Sequence, residues 1–224
     1  MSVFTNYKPK WFRDLAPEHQ ERVENEIKVF NYKAGAMIEQ KGNGPLSWIG
    51  VVNGLIKVSV GNADGRITSL IGIPAGGWIG EGSLLKNEIR RYDVFALRDS
   101  VIAKMPQSTF EWLLDNSIVF NRFLLVQLNE RLGQFVGRTE NDRLLDADGR
   151  VASCLSELFN PQLYPNDEYR LNITQEEIGY LARVSRQRTN QALKRLAELK
   201  IIELEYGAVC ILDLEALHAF YQNQ

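Results

Sequence analysis

The sequence predicts an α+β protein: an N-terminal β-roll or jelly roll with flanking helices, one long helix, and a C-terminal helix-turn-helix followed by a small hairpin. Three observations carry this. Short β-rich runs alternate with glycine turns between positions 32 and 105. Apolar residues from Ile118 onward then recur at nearly seven-residue intervals. Near the end, a helix-start signal, a tight connection, a second amphipathic helix and two short apolar runs follow one another.

The elements follow in order. Trp11 to Phe30 has helical spacing, with Leu15, Val23, Ile27 and Phe30 on its apolar side and Pro17 at a first-turn position. The β-rich runs are MIEQ, WIGVV, LIKVSV, ITSLIGI, YDVFAL and VIAKM. Breaks fall at Lys33-Ala-Gly35, Gly42-Asn-Gly44, Asn53-Gly54, Asp64-Gly65 and Gly76-Gly77. Asn-Gly and Asp-Gly favour hairpins because both residues reach positive φ at little cost. Many short strands at this spacing argue for a barrel or jelly roll.

From Pro106 the pattern is helical. Ile118, Leu125, Leu128, Leu132 and Phe135 form a near-heptad seam, interrupted by Asn121, while Phe120, Phe123 and Leu124 lie off it. One face of such a helix fits a second copy of the chain and the other fits the β-domain. Asn141 to Gly149 is a charged, hinge-like boundary; Arg150 to Phe159 is a short helix with Val151, Leu155 and Leu158 inward; Asn160 to Asp167 is a loop. The domains expected are 1–115 (β-roll), 116–145 (dimerisation helix and hinge) and 146–224 (DNA-binding domain).

Thr174-Gln-Glu-Glu177 has capping-box spacing, and Ile178, Leu181 and Ala182 give its helix an apolar face. Arg183-Val-Ser185 is the connection, with Ser185 as N-cap of a second helix. There Thr189, Ala192, Leu193 and Leu196 share one face; Gln187, Asn190, Gln191 and Lys194 share the opposite one, with Arg186 beside them. Ile201–Leu204 and Val209–Leu212 around Tyr206-Gly207 read as a wing, and Asp213–Leu217 as a closing helix.

That second helix lies in a local excess of positive charge. Between Gly179 and Lys200 stand Arg183, Arg186, Arg188, Lys194, Arg195 and Lys200 against Glu198 alone, a local +5 on a chain of net charge -2. A localised excess on an otherwise acidic protein is a nucleic-acid footprint. Arginine pairs bidentately with guanine, and Asn or Gln with adenine. Thr174 and Ser185 complete the expected contact set at the two helix starts, where phosphate is favoured.

Enzymatic classes find no support. No nucleophile–base set is present, and Gly76-Gly-Trp-Ile-Gly80 lacks the lysine of a phosphate-binding loop. Cys154 and Cys210 are too few and too far apart for a metal site, and read as small hydrophobes. His19 and His218 lie near opposite ends in no ligand spacing. No export pattern opens the chain and no apolar run reaches about 18 residues, so a cytoplasmic protein without a membrane partner is expected. The rival to a DNA regulator is a β-roll serving as a protein-interaction module, which would not require the Arg186–Gln191 face.

Over nearly its whole length the chain resembles the Crp/Fnr superfamily of bacterial transcription regulators. The matches are Thr174-Gln-Glu-Glu-Ile178, Val184-Ser-Arg-Gln-Arg-Thr-Asn-Gln-Ala-Leu193, Leu196 and the wing, with Arg150-Val-Ala152 at the start of the first DNA-domain helix. Gly80-Glu81 and Arg91 look like the remains of a phosphate-binding cassette. The resemblance implies a cyclic-nucleotide-binding-like β-roll and a homodimer on a near-palindromic site, with RNA polymerase as a further partner. It places Arg186, Gln187 and Gln191 at the principal base-reading positions. The family's commonest reading helix has Glu and Arg where this chain has Gln187 and Gln191, so a different half-site is expected. Arg183 replaces a usual Gly and Gly179 a usual Ala.

The resemblance also implies a choice of signals: cAMP, haem, an iron–sulfur cluster, another small acid, or none. No N-terminal cysteines exist for a cluster, and no His or Cys lies in the β-rich runs from 32 to 105 or in the seam for haem. The expected effector pocket comprises Gly80, Glu81, Gly82, Ser83, Arg91, Tyr92, Phe135 and Val136. In it Glu81 would accept from a ribose hydroxyl and Arg91 would pair with a phosphate; the alternative is a plain Glu81–Arg91 ion pair. The cAMP-responsive pattern has Ser or Thr after that arginine, where this chain has Tyr92. Phe135 and Val136 would face a purine edge without hydrogen bonds, each loss costing roughly 1–3 kcal/mol. A regulator that answers to a small anion other than cAMP, or to none, is therefore expected; the alternative is a nucleotide-responsive one.

Overall fold

The computed structural model describes residues 8–44, 46–61, 67–165 and 169–222. These form two compact units: residues 1–130 with 162–165, and residues 131–161 with 166–224.

The first unit opens with α1 (Lys10–Arg13) and α2 (Pro17–Glu26), then strand β1 (Lys28–Tyr32). The helix expected from Trp11 to Phe30 is thus three elements. Pro17 can only start a helix, at its first position, after an extended Ala16. Ile27 is extended again, and β1 pairs with a distant strand from Lys28↔Lys104 onward. Long-range pairing overrides the helical spacing there, and it leaves Phe30 exposed with Lys104 Nζ 5.7 Å from its ring centre.

Next come β2 (Met37–Glu39), β3 (Ser47–Asn53), β4 (Leu55–Gly61), β5 (Ile67–Pro74), β6 (Trp78–Ile79), α3 (Glu81–Lys86), β7 (Asp93–Ala96) and β8 (Ser100–Pro106). All six expected runs are strands; the two-residue β6 and the helix α3 are additional. One sheet has the order β1-β8-β3-β6 and the other β2-β7-β4-β5, with antiparallel pairing throughout. The Asp64-Gly65 turn lies outside the described residues.

Strand β3 is buried on both faces. Ile49 and Val51 join an aliphatic core between the sheets with Ile56, Val58, Ile73, Val94 and Ile102. Trp48 points the other way, into an aromatic core with Trp11, Phe12, Trp78, Phe110 and Phe120. The Trp48 and Trp78 ring centres are 4.3 Å apart. Gly50 makes this possible: a Cβ there would lie 2.5 Å from the Trp78 ring.

Two helices follow, α4 (Gln107–Asn116) and α5 (Ile118–Leu144). Phe120 and Leu124 are buried in the aromatic core and Phe123 packs against it, as their place off the seam predicts. Asn121 donates from Nδ2 to the Leu114 and Ser117 carbonyls, so its polarity serves the α4–α5 junction.

The second unit begins within α5 and contains α6 (Ala147–Leu158), β9 (Arg170–Leu171), α7 (Gln175–Ala182), α8 (Arg186–Glu198), β10 (Ile202–Glu205), β11 (Ala208–Ile211) and α9 (Leu214–Gln222). Helix α6 starts a turn earlier than expected, because Asp146 caps it by accepting from Gly149 N at 2.8 Å. Val151, Leu155 and Leu158 are buried as predicted. An Arg138–Glu157 pair joins α5 to α6 inside the unit; burial pushes the Glu157 carboxyl up and Arg138 pulls it back down. Burial also pushes the Cys154 thiol up to about 12, consistent with a packed, unreactive side chain.

Candidate nucleic-acid interface and effector site

Helix α7 starts at a complete capping box. Thr174 Oγ1 accepts from Glu177 N at 3.2 Å, and Glu177 Oε2 accepts from Thr174 N at 2.8 Å. Thr174→Ala should therefore cost the second unit about 1 kcal/mol, read as a lowered denaturation midpoint. Thr174 acts here as a cap.

Arg183 closes α7 in the left-handed region, at φ 56 and ψ 40. That conformation suits glycine and is rare for a residue with a side chain. Its Nη1 donates to Asp142 Oδ2 on α5. Ser185 occupies the N-cap position of α8 as predicted, but its side chain makes no capping bond; its carbonyl accepts from Thr189 N and Thr189 Oγ1.

Thr189, Ala192, Leu193 and Leu196 are all fully buried. Gly179 explains how α8 fits so closely on α7: a Cβ there would stand 3.0 Å from both Thr189 Oγ1 and the Val184 carbonyl. Opposite, Arg186, Gln187, Arg188, Gln191 and Lys194 are exposed. Among the described residues none of these has a hydrogen-bond or ion-pair partner. Asn190 differs from them: it donates to Gln175 Oε1 at 2.7 Å and ties α8 to α7. Arg195 is exposed but pairs with Asp148 Oδ2 at 2.8 Å.

The wing is a β10–β11 hairpin with a two-residue loop, Tyr206-Gly207. A third strand, β9, adds to β11 and was not foreseen. Arg170 donates to Glu205 from Nε and Nη2 at 3.0 and 2.7 Å, which holds the Glu205 carboxyl below its ordinary value.

In the first unit, the expected effector residues divide. Gly80 (φ 102) leads into α3, and Glu81 and Ser83 are buried while Gly82 is half-buried. Arg91 does not face them. It is exposed and pairs with Glu88 at 3.1 Å, so the Glu81–Arg91 ion pair expected as the alternative does not form, and Arg91 points away from the residues it was expected to join. The inward arginine is Arg90. Its side chain is fully buried; Nη2 donates to the Ser47 carbonyl at 2.6 Å, and Nε lies 3.5 Å from Glu39 Oε2. Glu39 also holds Lys104 Nζ at 2.7 Å. A Cβ on Gly80 would fall 2.9 Å from Arg90 Nη1, which has no hydrogen-bond partner among the described residues. Strand parity carried the signal: Val94 and Ala96 point inward in β7, so counting back by twos through the half-buried Tyr92 reaches Arg90, not Arg91.

Phe135 and Val136 belong to the second unit and are exposed. Of the seam residues, Ile118, Leu125, Leu132 and Phe135 are exposed, while Leu128 packs against the aromatic core.

Residues 149–220 match the Crp-like helix-turn-helix domain and residues 29–117 the cyclic nucleotide-binding domain. The chain is 25% identical over 177 residues to the cAMP-activated global transcriptional regulator CRP of Haemophilus influenzae, covering 78% of this chain and 79% of that protein. It is 26% identical over 176 residues to the transcriptional regulator SdrP of Thermus thermophilus, covering 78% and 83%. Its fold is that of FixK2 from Bradyrhizobium japonicum, with a TM-score of 0.70 at 17% identity over 86% of this chain and 96% of that one. The two domain matches in this order, together with the similarity to the two transcription regulators, show that the chain belongs to the Crp/Fnr superfamily and is a DNA-binding transcription regulator.

Proposed function

We propose that two copies of this chain pair through α5 and set their two α8 helices into successive major grooves of a near-palindromic site, about 34–36 Å apart. One observation carries the DNA half: α8 buries Thr189, Ala192, Leu193 and Leu196 completely and leaves Arg186, Gln187, Gln191 and Lys194 exposed on the other side. Those four side chains offer donors suited to guanine, adenine and phosphate. The pairing half rests on Ile118, Leu125, Leu132 and Val136, exposed at i, i+7, i+14 and i+18 on one helix face. The protein works by binding, with RNA polymerase as the partner that turns occupancy into regulation, and it acts in the cytoplasm. Among the described residues no helix is long and apolar enough to cross a membrane.

A small anionic effector is the gate this reading favours, because Arg90 keeps an enclosed Nη1 beside the Gly80 turn that has no hydrogen-bond partner among the described residues. The residue after Arg90 is Arg91, which carries no hydroxyl, so the pattern associated with cAMP is absent at the corrected position as well. The domains proposed are 1–115 for the effector, 116–145 for pairing and 146–224 for DNA.

Selection from random duplex DNA by the purified protein, with and without cAMP, tests this together with sedimentation. A dimer in solution and the same palindrome enrichment with and without cAMP are expected; if the anionic gate is strict, that enrichment appears in both conditions only after a small anion such as phosphate is supplied. Enrichment only with cAMP would overturn the effector reading, and a monomer without a palindrome would overturn the pairing.

A further inference from the structure

Two arginines of the helix-turn-helix are already occupied by carboxylates. Arg183 in the turn bonds Asp142, near the end of α5. Arg195, on the flank of α8, bonds Asp148 in the first turn of α6 and lies 5.5 Å from the Phe220 ring centre. The two acids stand on either side of the short break between α5 and α6. Among the described residues, Arg186, Arg188, Lys194 and Lys200 have no carboxylate within ion-pair distance. The basic face is thus divided into cations with a partner and cations without one.

Stability does not account for the division. Arg183–Asp142 is exposed on both sides, at 49% and 37%, and Arg195 is 56% exposed beside a half-buried Asp148 at 19%. Exposed ion pairs add little to folding. Their effect falls instead on whatever else competes for the same guanidinium. A carboxylate and a phosphate each offer arginine a pair of anionic acceptor oxygens within reach of its fork. Sequence-independent DNA binding is set by how many phosphates the cations neutralise, while base contacts set the sequence.

We propose that Asp142 and Asp148 are built-in competitors for phosphate, which withdraw Arg183 and Arg195 from loose contact with DNA and so raise the ratio of specific to non-specific binding. The proposal rests on the reading of the α8 face as a DNA contact. It also sets Arg183 and Arg195 apart from the other cations of the basic excess read in the sequence. In the loose complex each protomer engages phosphate through its uncommitted cations. The tight complex draws on Arg186, Gln187 and Gln191, which no acid holds, so the competitors weaken it less.

The experiment is a salt series of binding to a random duplex and to the selected site, for the full chain and an Asp142→Asn/Asp148→Asn variant. The slope of log affinity against log salt should steepen by about 0.9 for each released arginine, near 1.8 per protomer. Non-specific binding at about 0.1 M salt should tighten by roughly one to two decades, and the specificity ratio should fall. An unchanged slope would overturn the proposal. Removing any negative charge could strengthen DNA binding in general, so the second arm places Asp148→Asn in an Arg195→Ala background, where it should have no effect. The same gain in that background would also overturn the proposal. A third arm covers failure of the Asn variants to fold: Arg183→Ala/Arg195→Ala should leave the non-specific slope nearly unchanged, and a slope reduced by about 1.8 per protomer would mean that both arginines already contact phosphate. If the unaltered protein binds no duplex in a salt-dependent way, the DNA reading itself fails, separately from this proposal.

Discussion

Replacing Arg186 with alanine is expected to weaken binding to the selected site by roughly 30-fold to 10⁴-fold. A bidentate arginine–guanine pair discriminates by about 1–3 kcal/mol. A dimer presents the residue twice, giving about 2–6 kcal/mol at about 1.4 kcal/mol per decade. The side chain is exposed, at the first position of α8, and has no partner among the described residues, so its removal should not disturb folding. The loss should concentrate on one base pair of each half-site. Binding measured against a panel of singly altered half-sites checks this. A weakened but otherwise unchanged preference profile would move Arg186 from base reading to phosphate positioning.

Replacing Glu39 with glutamine is expected to destabilise the first unit by about 3–5 kcal/mol, the cost of leaving buried charge uncompensated. Glu39 is the carboxylate shared by Arg90 and Lys104. Neutralising it leaves both cations without the counter-charge they share, one of them fully buried. Arg90→Met should cost less, because Lys104 still pairs with Glu39. The asymmetry also tests the effector site. A small anion that settles on Arg90 supplies the missing charge, so phosphate should raise the denaturation midpoint of Glu39→Gln more than that of the unaltered protein. Equal shifts would argue against an anion at Arg90.

The parts of this molecule legible in its sequence are those fixed by neighbours in the chain. The capping box at Thr174, the inward set Thr189, Ala192, Leu193 and Leu196, and the turn at Tyr206-Gly207 each depend on residues a few positions apart, and all stand where expected. The six β-runs are legible for the same reason. What was misread depends on distant partners. Lys28–Tyr32 has helical spacing but becomes a strand through pairing with β8. The two-residue strands β6 and β9 exist only because β3 and β11 lie beside them. Arg90 and Arg91 are chemically alike, and only strand parity decides which one faces the interior. Asp142 and Asp148 carried no signal, since their meaning is the arginine each meets 41 and 47 residues later.

The aromatic core has an optical consequence. All four tryptophans of the chain, Trp11, Trp48, Trp78 and Trp112, belong to the first unit, and the second contains none. Three of them are buried against one another at ring-centre distances of 4.3 to 5.2 Å. Intrinsic emission excited at the red edge of the protein band therefore comes from the β-roll alone. An effector that rearranges the β-roll alters the emission directly. DNA bound at α8, as proposed, leaves that emission unchanged unless the event is relayed along the chain, so a fluorescence change on adding duplex would be a readout of communication between the two units, with no label attached.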